Sequence, residues 1–206
     1  MIVKNEKKHL ARCLSSVKDV ADEIIIVDTG STDRTIEIAE SFGAKVFLFD
    51  WINDFSAARN FALSKSTCDW ILYLDADEEL NLNCIEEINK YKTRTPAGIY
   101  CTIKSLGSAN VNGSVIRYPR LFPNDARIKF AGKVHEQIIE SLNKNKIPLI
   151  DSDIEIIHHG YAIDDESLTE KKKRNLSLLF ADENKHKNTY SKLKLIQTLI
   201  SLERFD

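Results

Sequence analysis

The feature that most constrains this chain is the succession of apolar runs and amphipathic stretches between residues 23 and 74. Glu23-Ile24-Ile25-Ile26-Val27 is a β-branched run that ends at Asp28-Thr29-Gly30-Ser31. Thr32 to Phe42 then reads as a helix capped by Ser31 or Thr32. The unit repeats, with Lys45 to Phe49 as a strand and Phe55 to Lys65, rich in alanine and leucine, as a helix. Trp70-Ile71-Leu72-Tyr73-Leu74 is continuously apolar, as expected of a central strand covered on both faces. Ahead of them, Met1-Ile2-Val3 opens a short strand, and Leu10, Leu14 and Val17 share one helical face. Strands alternating with helices imply an α/β layer built on a mostly parallel central sheet.

Past a helix at Asn83 to Tyr91 the texture changes. Short β-like runs follow at Gly98 to Lys104, Val115 to Phe122, Ile128 to Val134 and Ile154 to His158. From Asp164 the pattern is helical and charged, with Leu168, Leu176, Leu179, Leu195, Leu199 and Leu202 spaced along two helices. The expected division is therefore a catalytic α/β domain over residues 1–161 and a separate helical tail over 162–206. The tail's last apolar face has no partner in sequence, so the chain is expected to be a fragment of a longer repeat protein.

Bulk properties mainly exclude. The formal net charge of -2 offers no broad attraction for nucleic acid or an anionic membrane surface. No run approaches the ~20 apolar residues of a bilayer span, and the N-terminus lacks a signal-peptide core. The four cysteines, Cys13, Cys68, Cys84 and Cys101, show no metal-site spacing and read as reduced thiols of a cytoplasmic protein.

In an open parallel sheet, ligands bind beyond the carboxyl ends of the strands. Asp28 and Asp75 both stand at such ends. In the loop after Asp28, Gly30 permits the turn, and Ser31, Thr32 and Asp33 suit a helix start. Asp28 has no such explanation and could accept hydrogen bonds from a base or ribose. Asp75-Ala76-Asp77 sets two carboxylates one residue apart, which calls for raised pKa values or a cation. Oxygen ligands of this kind suit Mn²⁺ or Mg²⁺, which keep few protein ligands and fill their shell with water and phosphate. The competing reading is an acidic turn in which Glu78 and Glu79 add solvated charge.

Four segments in order are similar to the motif series of family 2 glycosyltransferases of GT-A fold. They are Ile2-Val3-Lys4-Asn5-Glu6, Ile26 to Asp33, Phe55-Ser56-Ala57-Ala58-Arg59-Asn60, and Trp70 to Glu78. The resemblance implies that Val3, Asn5, Glu6 and Asp28 line a nucleoside pocket, and that Arg59 orders the nucleotide or the acidic loop. Asp75 would face ribose or metal-bound water, and Asp77 would ligate the metal. The implied partners are a nucleotide-sugar donor, a UDP-sugar in the leading reading, and a glycan, lipid-linked or peptide acceptor. A lipid-linked acceptor would bring the protein to the inner face of the membrane. Many relatives carry a second acid where Thr29 stands, so base recognition here rests on Asp28.

Phe130 to Glu136 and Ile156 to Tyr161 resemble a bacterial branch of the same family whose catalytic domain is often followed by tetratricopeptide-like helices. Inversion at a sugar needs a base opposite the leaving group. Glu136 is the first choice for that base, His135 the alternative, and a polar pair at a strand end the competitor to both. Strand alternation sends His158 and His159 to opposite faces. Of the two, His159 is expected as the metal or diphosphate ligand. Lys171 to Arg174 read as solvated surface. A nucleotidyltransferase would fit the carboxylates but not the glycine-free Lys4 to Lys8 loop, and an inactive nucleotide-sugar-binding adaptor would not need an intact Asp75/Asp77 pair.

Overall fold

The computed structural model describes residues 1–92, 95–107, 113–159, 173, 175–180 and 189–203. Its first part follows the predicted alternation closely. β1 (Ile2–Val3) leads to α1 (Leu10–Val17), β2 (Ile25–Asp28) to α2 (Thr35–Ser41), and β3 (Lys45–Leu48) to α3 (Phe55–Lys65). The three strands form a parallel sheet in the order β1-β2-β3, with Val3 opposite Asp28 and Asp28 opposite Leu48. All residues of β2 are buried, because helices cover both faces of the sheet. Ile26 packs with Leu10, Leu14 and Ala39 of α1 and α2, whereas Ile25 and Val27 pack with Ala62 of α3. α3 starts where predicted because Asp54 accepts the Ala57 N–H at 2.9 Å, an N-cap bond.

After α3 the topology departs from the expected single parallel sheet. β4 (Trp70–Leu72) has no ladder with β1 and pairs antiparallel with β7 (Ser114–Pro123). It edges a second sheet of order β4-β7-β6-β8-β5, with β5 (Glu78–Leu80), β6 (Gly98–Ser105) and β8 (Leu149–His158). The apolar Leu121 and Phe122 of β7 supply the partners that strand succession alone assigned to a parallel neighbour. The chain remains an α/β fold, but parallel pairing is confined to β1-β2-β3 and the β6-β8 pair. α4 (Ile85–Lys92) covers one face of the second sheet, burying Ile88 and Tyr91 against Ile99, Ile154 and Ile156. α5 (Ile139–Lys144), which the sequence reading does not anticipate, buries Leu142 on the other face with Ile71 and Phe122.

The run Ile128 to Val134 is also not a strand. It folds as a loop closed by a bridge between Ala131 and Gln137, with Gly132 at φ 99° and His135 at φ 54°. Asn60 replaces the missing ladder partner, donating to the Phe130 carbonyl and accepting the Phe130 N–H, each at 2.9 Å. The apolar residues of the run are buried for packing rather than for pairing.

Of the tail, residues 175–180 and α6 (Thr189–Glu203) are helical. They do not stand apart from the α/β domain: Leu178, Leu179 and Leu195 bury themselves against Val134, with Phe55 alongside. The expected boundary at residues 161 and 162, together with Gly160, Tyr161, Lys171, Lys172 and Arg174, lies outside the described residues. No helix among the described residues is long and apolar enough to cross a membrane. The cysteines are free, with Cys13, Cys84 and Cys101 buried and Cys68 partly exposed.

Candidate functional site

The carboxyl ends of β1 and β2 are tied into one unit. Asn5, at φ 57°, accepts the Thr32 N–H through Oδ1 at 2.7 Å and donates its own N–H to Ser31 Oγ at 2.9 Å. The Glu6 N–H donates to Thr35 Oγ1 at 2.7 Å. Asp33, rather than Ser31 or Thr32, accepts the Thr35 N–H at the start of α2. The Val3 side chain lies in the core with Leu10, Leu14 and Ile26, and its carbonyl is taken by the N–H and hydroxyl of Thr29. Asn5 and Val3 thus shape the loop from within.

Asp28 is 2% exposed and ends β2. Its Oδ2 accepts the Gly30 and Ser31 N–H groups, both at 2.9 Å, in a turn that Gly30 permits at φ 102°. Its Oδ1 is buried and has no hydrogen-bond partner among the described residues. A buried carboxylate oxygen with no donor is expensive to keep, of order 1–3 kcal/mol, which marks a place for an arriving N–H or O–H.

The acidic triplet follows β4, and Ala76 packs in the same cluster as Val3 and Ile26. The turn is therefore seated against the ends of β1 and β2. The two carboxylates have different company. Asp75 Oδ1 accepts Arg59 Nη2 at 2.7 Å, and Arg59 Nε donates to Glu136 Oε1. The Arg59 guanidinium lies over the rings of Tyr73 and Phe130, at 5.1 and 5.7 Å from their centroids. Burial opposes ionisation of Asp75, but Arg59 and then Arg120 outweigh it and hold the carboxyl below the usual range. Burial raises the Glu78 carboxyl against the pull of Arg120, and the neighbouring Asp75 charge adds to the rise.

Asp77 meets no guanidinium among the contacts of the described residues. Its Oδ2 lies 3.2 Å from His158 Nε2, and His158 Nδ1 is 3.1 Å from Ser105 Oγ. The hydrogen bond to Asp77 raises the His158 pKa against burial. His159, the expected ligand, gives its backbone N–H to the Asp77 carbonyl at 2.8 Å but turns its ring to Glu79, 2.9 Å away. The physical cause is the β5–β8 register, in which His158 stands directly opposite Glu78. Its ring accordingly falls beside the triplet, and that of His159 on the far side.

Glu136 sits in the loop closed by Ala131 and Gln137, its side chain 10% exposed. Oε1 belongs to Arg59, and Oε2 has no hydrogen bond among the described residues. The adjacent His135 has its pKa lowered by burial and then by Lys194 of α6. Sequence reasoning brings Asp28, Arg59, Asp75, Asp77 and Glu136 to one region, but misses Arg120, Glu78, Tyr73 and His158. Arg120 carries a signal in hindsight, since a charged residue beside the apolar pair Leu121-Phe122 needs a buried partner.

No group of 3 or more His, Cys, Asp or Glu side chains among the described residues converges as a complete metal shell. The Asp77 and His158 pair nevertheless fits an ion of the Mn²⁺ or Mg²⁺ kind, which takes one or two protein ligands and completes its shell with water and phosphate.

These elements define an α/β domain with an arginine-buttressed cluster of carboxylates at its strand ends. The chain belongs to glycosyl transferase family 2, whose family model matches residues 1–139. It is 46% identical over 144 residues to a TPR repeat-containing protein of Synechococcus elongatus, covering 69% of this chain and 35% of that one. It is 32% identical over 188 residues to the SPbeta prophage-derived glycosyltransferase SunS of Bacillus subtilis, covering 86% of this chain and 43% of SunS. The chain thus spans less than half the length of either relative. Among solved structures, S. aureus TarS in complex with UDP-GlcNAc matches with a TM-score of 0.59 at 16% identity, covering 96% of this chain and 70% of that one. Glucosyl-3-phosphoglycerate synthase from Mycobacterium tuberculosis, in complex with Mn2+ and UDP-glucose, matches with a TM-score of 0.53 at 15% identity, covering 86% and 74%. These likenesses establish the GT-A fold.

Proposed function

We propose that this chain transfers a sugar, with inversion, from a UDP-sugar to a glycan, lipid-linked or peptide acceptor, using Mn²⁺ or Mg²⁺. The observation that carries the reading is the buried, unpaired Oδ1 of Asp28 at the end of β2. A uracil N–H is a donor of the right kind for it. Asp77, with His158, would hold the metal, which when bound would supply positive charge to the departing diphosphate. Arg59 keeps Asp75 ionised and oriented toward the ribose or a bound water. Glu136, with Oε1 held by Arg59, takes the acceptor proton through Oε2. His135 is the alternative base, since burial favours its neutral form. The bound Mn2+ and UDP-sugar of the synthase likeness support the choice of donor and metal. A lipid-linked acceptor of the cell envelope would bring the protein to the inner face of the membrane.

Thermal unfolding tests this directly. UDP alone should move the midpoint little, and UDP with Mn²⁺ should raise it by several degrees, because only ligands that bind the folded state stabilise it. A midpoint unmoved by UDP, GDP and dTDP, each with Mn²⁺, overturns the proposal.

A further inference from the structure

Arg120 enters the site from β7, distant in sequence from the acidic turn. Its side chain is 9% exposed. Nη2 donates to Glu78 Oε1 at 2.5 Å and lies 3.7 Å from Asp75 Oδ2, while the guanidinium carbon sits 4.3 Å from the Tyr73 ring centroid. Glu78, 2% exposed, uses its other oxygen to accept the Asp75 N–H at 2.8 Å, and its own N–H returns to the Asp75 carbonyl at 3.0 Å. The turn that carries Asp77 is therefore closed by one backbone bond and by the Glu78 carboxylate, and that carboxylate is held by the Arg120 guanidinium.

The arrangement is poor as a stabilising device. Arg120 Nε and Nη1 are buried and find no acceptor among the described residues. A buried ion pair left this incompletely satisfied is generally no more stable than an apolar pair of similar volume. Folding alone does not account for a charged pair here, whereas a turn held in one geometry does.

We propose that Arg120, acting through Glu78, is a positioning residue that fixes the Asp75–Glu78 turn so that the Asp77 carboxylate is presented to the cation. This rests on the reading that Asp77 holds that cation. It differs from the role of Arg59, which touches Asp75 and Glu136 from the other side.

The test is the double variant Glu78→Leu with Arg120→Met, which replaces the pair by apolar side chains and leaves no buried charge uncompensated. UDP binding is followed by calorimetry across a Mn²⁺ series, beside thermal unfolding. The expected result is an unfolding midpoint equal to or above the parent's, with the Mn²⁺ concentration for half-saturation raised at least about tenfold, a loss recovered at high Mn²⁺. Arg120→Lys, which keeps the charge but not the planar fork, should fall between. If the double variant does not fold, the lysine variant carries the measurement. A folded variant with the parent's Mn²⁺ dependence overturns the positioning role alone. A parent protein whose nucleotide binding ignores Mn²⁺ overturns the metal reading and this inference together.

Discussion

Replacing Asp28 by asparagine separates the two oxygens of one carboxylate. Oδ2 serves the N–H groups of Gly30 and Ser31, whereas Oδ1 serves no group among the described residues. In Asp28→Asn the amide oxygen must take the Oδ2 position, since the reverse orientation sets NH₂ against two backbone donors. The fold then loses the charge on two hydrogen bonds, about 1 kcal/mol in total. The NH₂ is forced into the place of Oδ1, and there a nucleobase N–H would meet a donor instead of an acceptor. Losing a charge-assisted bond costs about 1.5–3 kcal/mol, and leaving the ligand donor buried and unsatisfied adds about 1–3 kcal/mol. A net penalty near 4 kcal/mol is ~10³ in Kd, at about 1.4 kcal/mol per tenfold. Titration calorimetry with UDP and Mn²⁺, beside a thermal melt, measures both sides. The expected outcome is a small change in melting and a Kd weakened by two to three orders of magnitude. A variant that melts like the parent and binds UDP within about threefold of it refutes the assignment of the unpaired oxygen.

Glu136→Gln retains an oxygen for Arg59 but cannot accept a proton, so donor binding should persist while transfer falls by ~10²–10⁴ in a steady-state assay with a competent acceptor. Unchanged transfer passes the role to His135. Leu179→Ala opens a hole among Leu178, Leu195 and Val134, where Leu179 is 1% exposed, and should cost about 2–4 kcal/mol in denaturant unfolding. A loss under about 1 kcal/mol refutes close packing of the tail helices on the loop that carries Val134. Thiol titration at mild alkaline pH should find one fast group, Cys68. Burial pushes Cys101 up to about 12 and raises Cys13 well beyond the ordinary thiol range. Fast reaction of Cys13 or Cys101 in the native protein contradicts the packing around α1 and β6.

Much of the fold's first part is legible because local patterns there coincide with tertiary roles. β2 is buried on both faces and β-branched in its core, so the run Glu23 to Val27 marks it although the ladder itself covers Ile25–Asp28, and α3 begins and ends where its pattern does, at Phe55 and Lys65. Beyond β4 the agreement weakens for physical reasons. Phe130 and Val134 are apolar and spaced like a strand, yet the Asn60 amide satisfies the Phe130 backbone, and no sequence period reports a side chain acting as a ladder partner. β5 is Glu-Glu-Leu, a composition that reads as solvated turn. It is a strand because Arg120, from β7, compensates the Glu78 charge.

The same distinction decides what could be known of the site. Residues at strand ends are placed by the strand itself, so Asp28 and Asp75 can be inferred from apolar runs alone. The division of labour between them and their neighbours depends on ladder register. His158 and His159 show this sharply: alternation correctly sends their rings apart, but which ring meets Asp77 turns on the pairing of His158 with Glu78, and a slip of one residue would exchange them. That register is set by Leu80 and Ile156, directly opposite one another and both buried in the core of the second sheet. Apolar packing two residue pairs along the ladder from His158 thus selects which imidazole stands beside the carboxylate. A core substitution at Ile156 that let β8 slip would exchange the imidazole that stands beside Asp77.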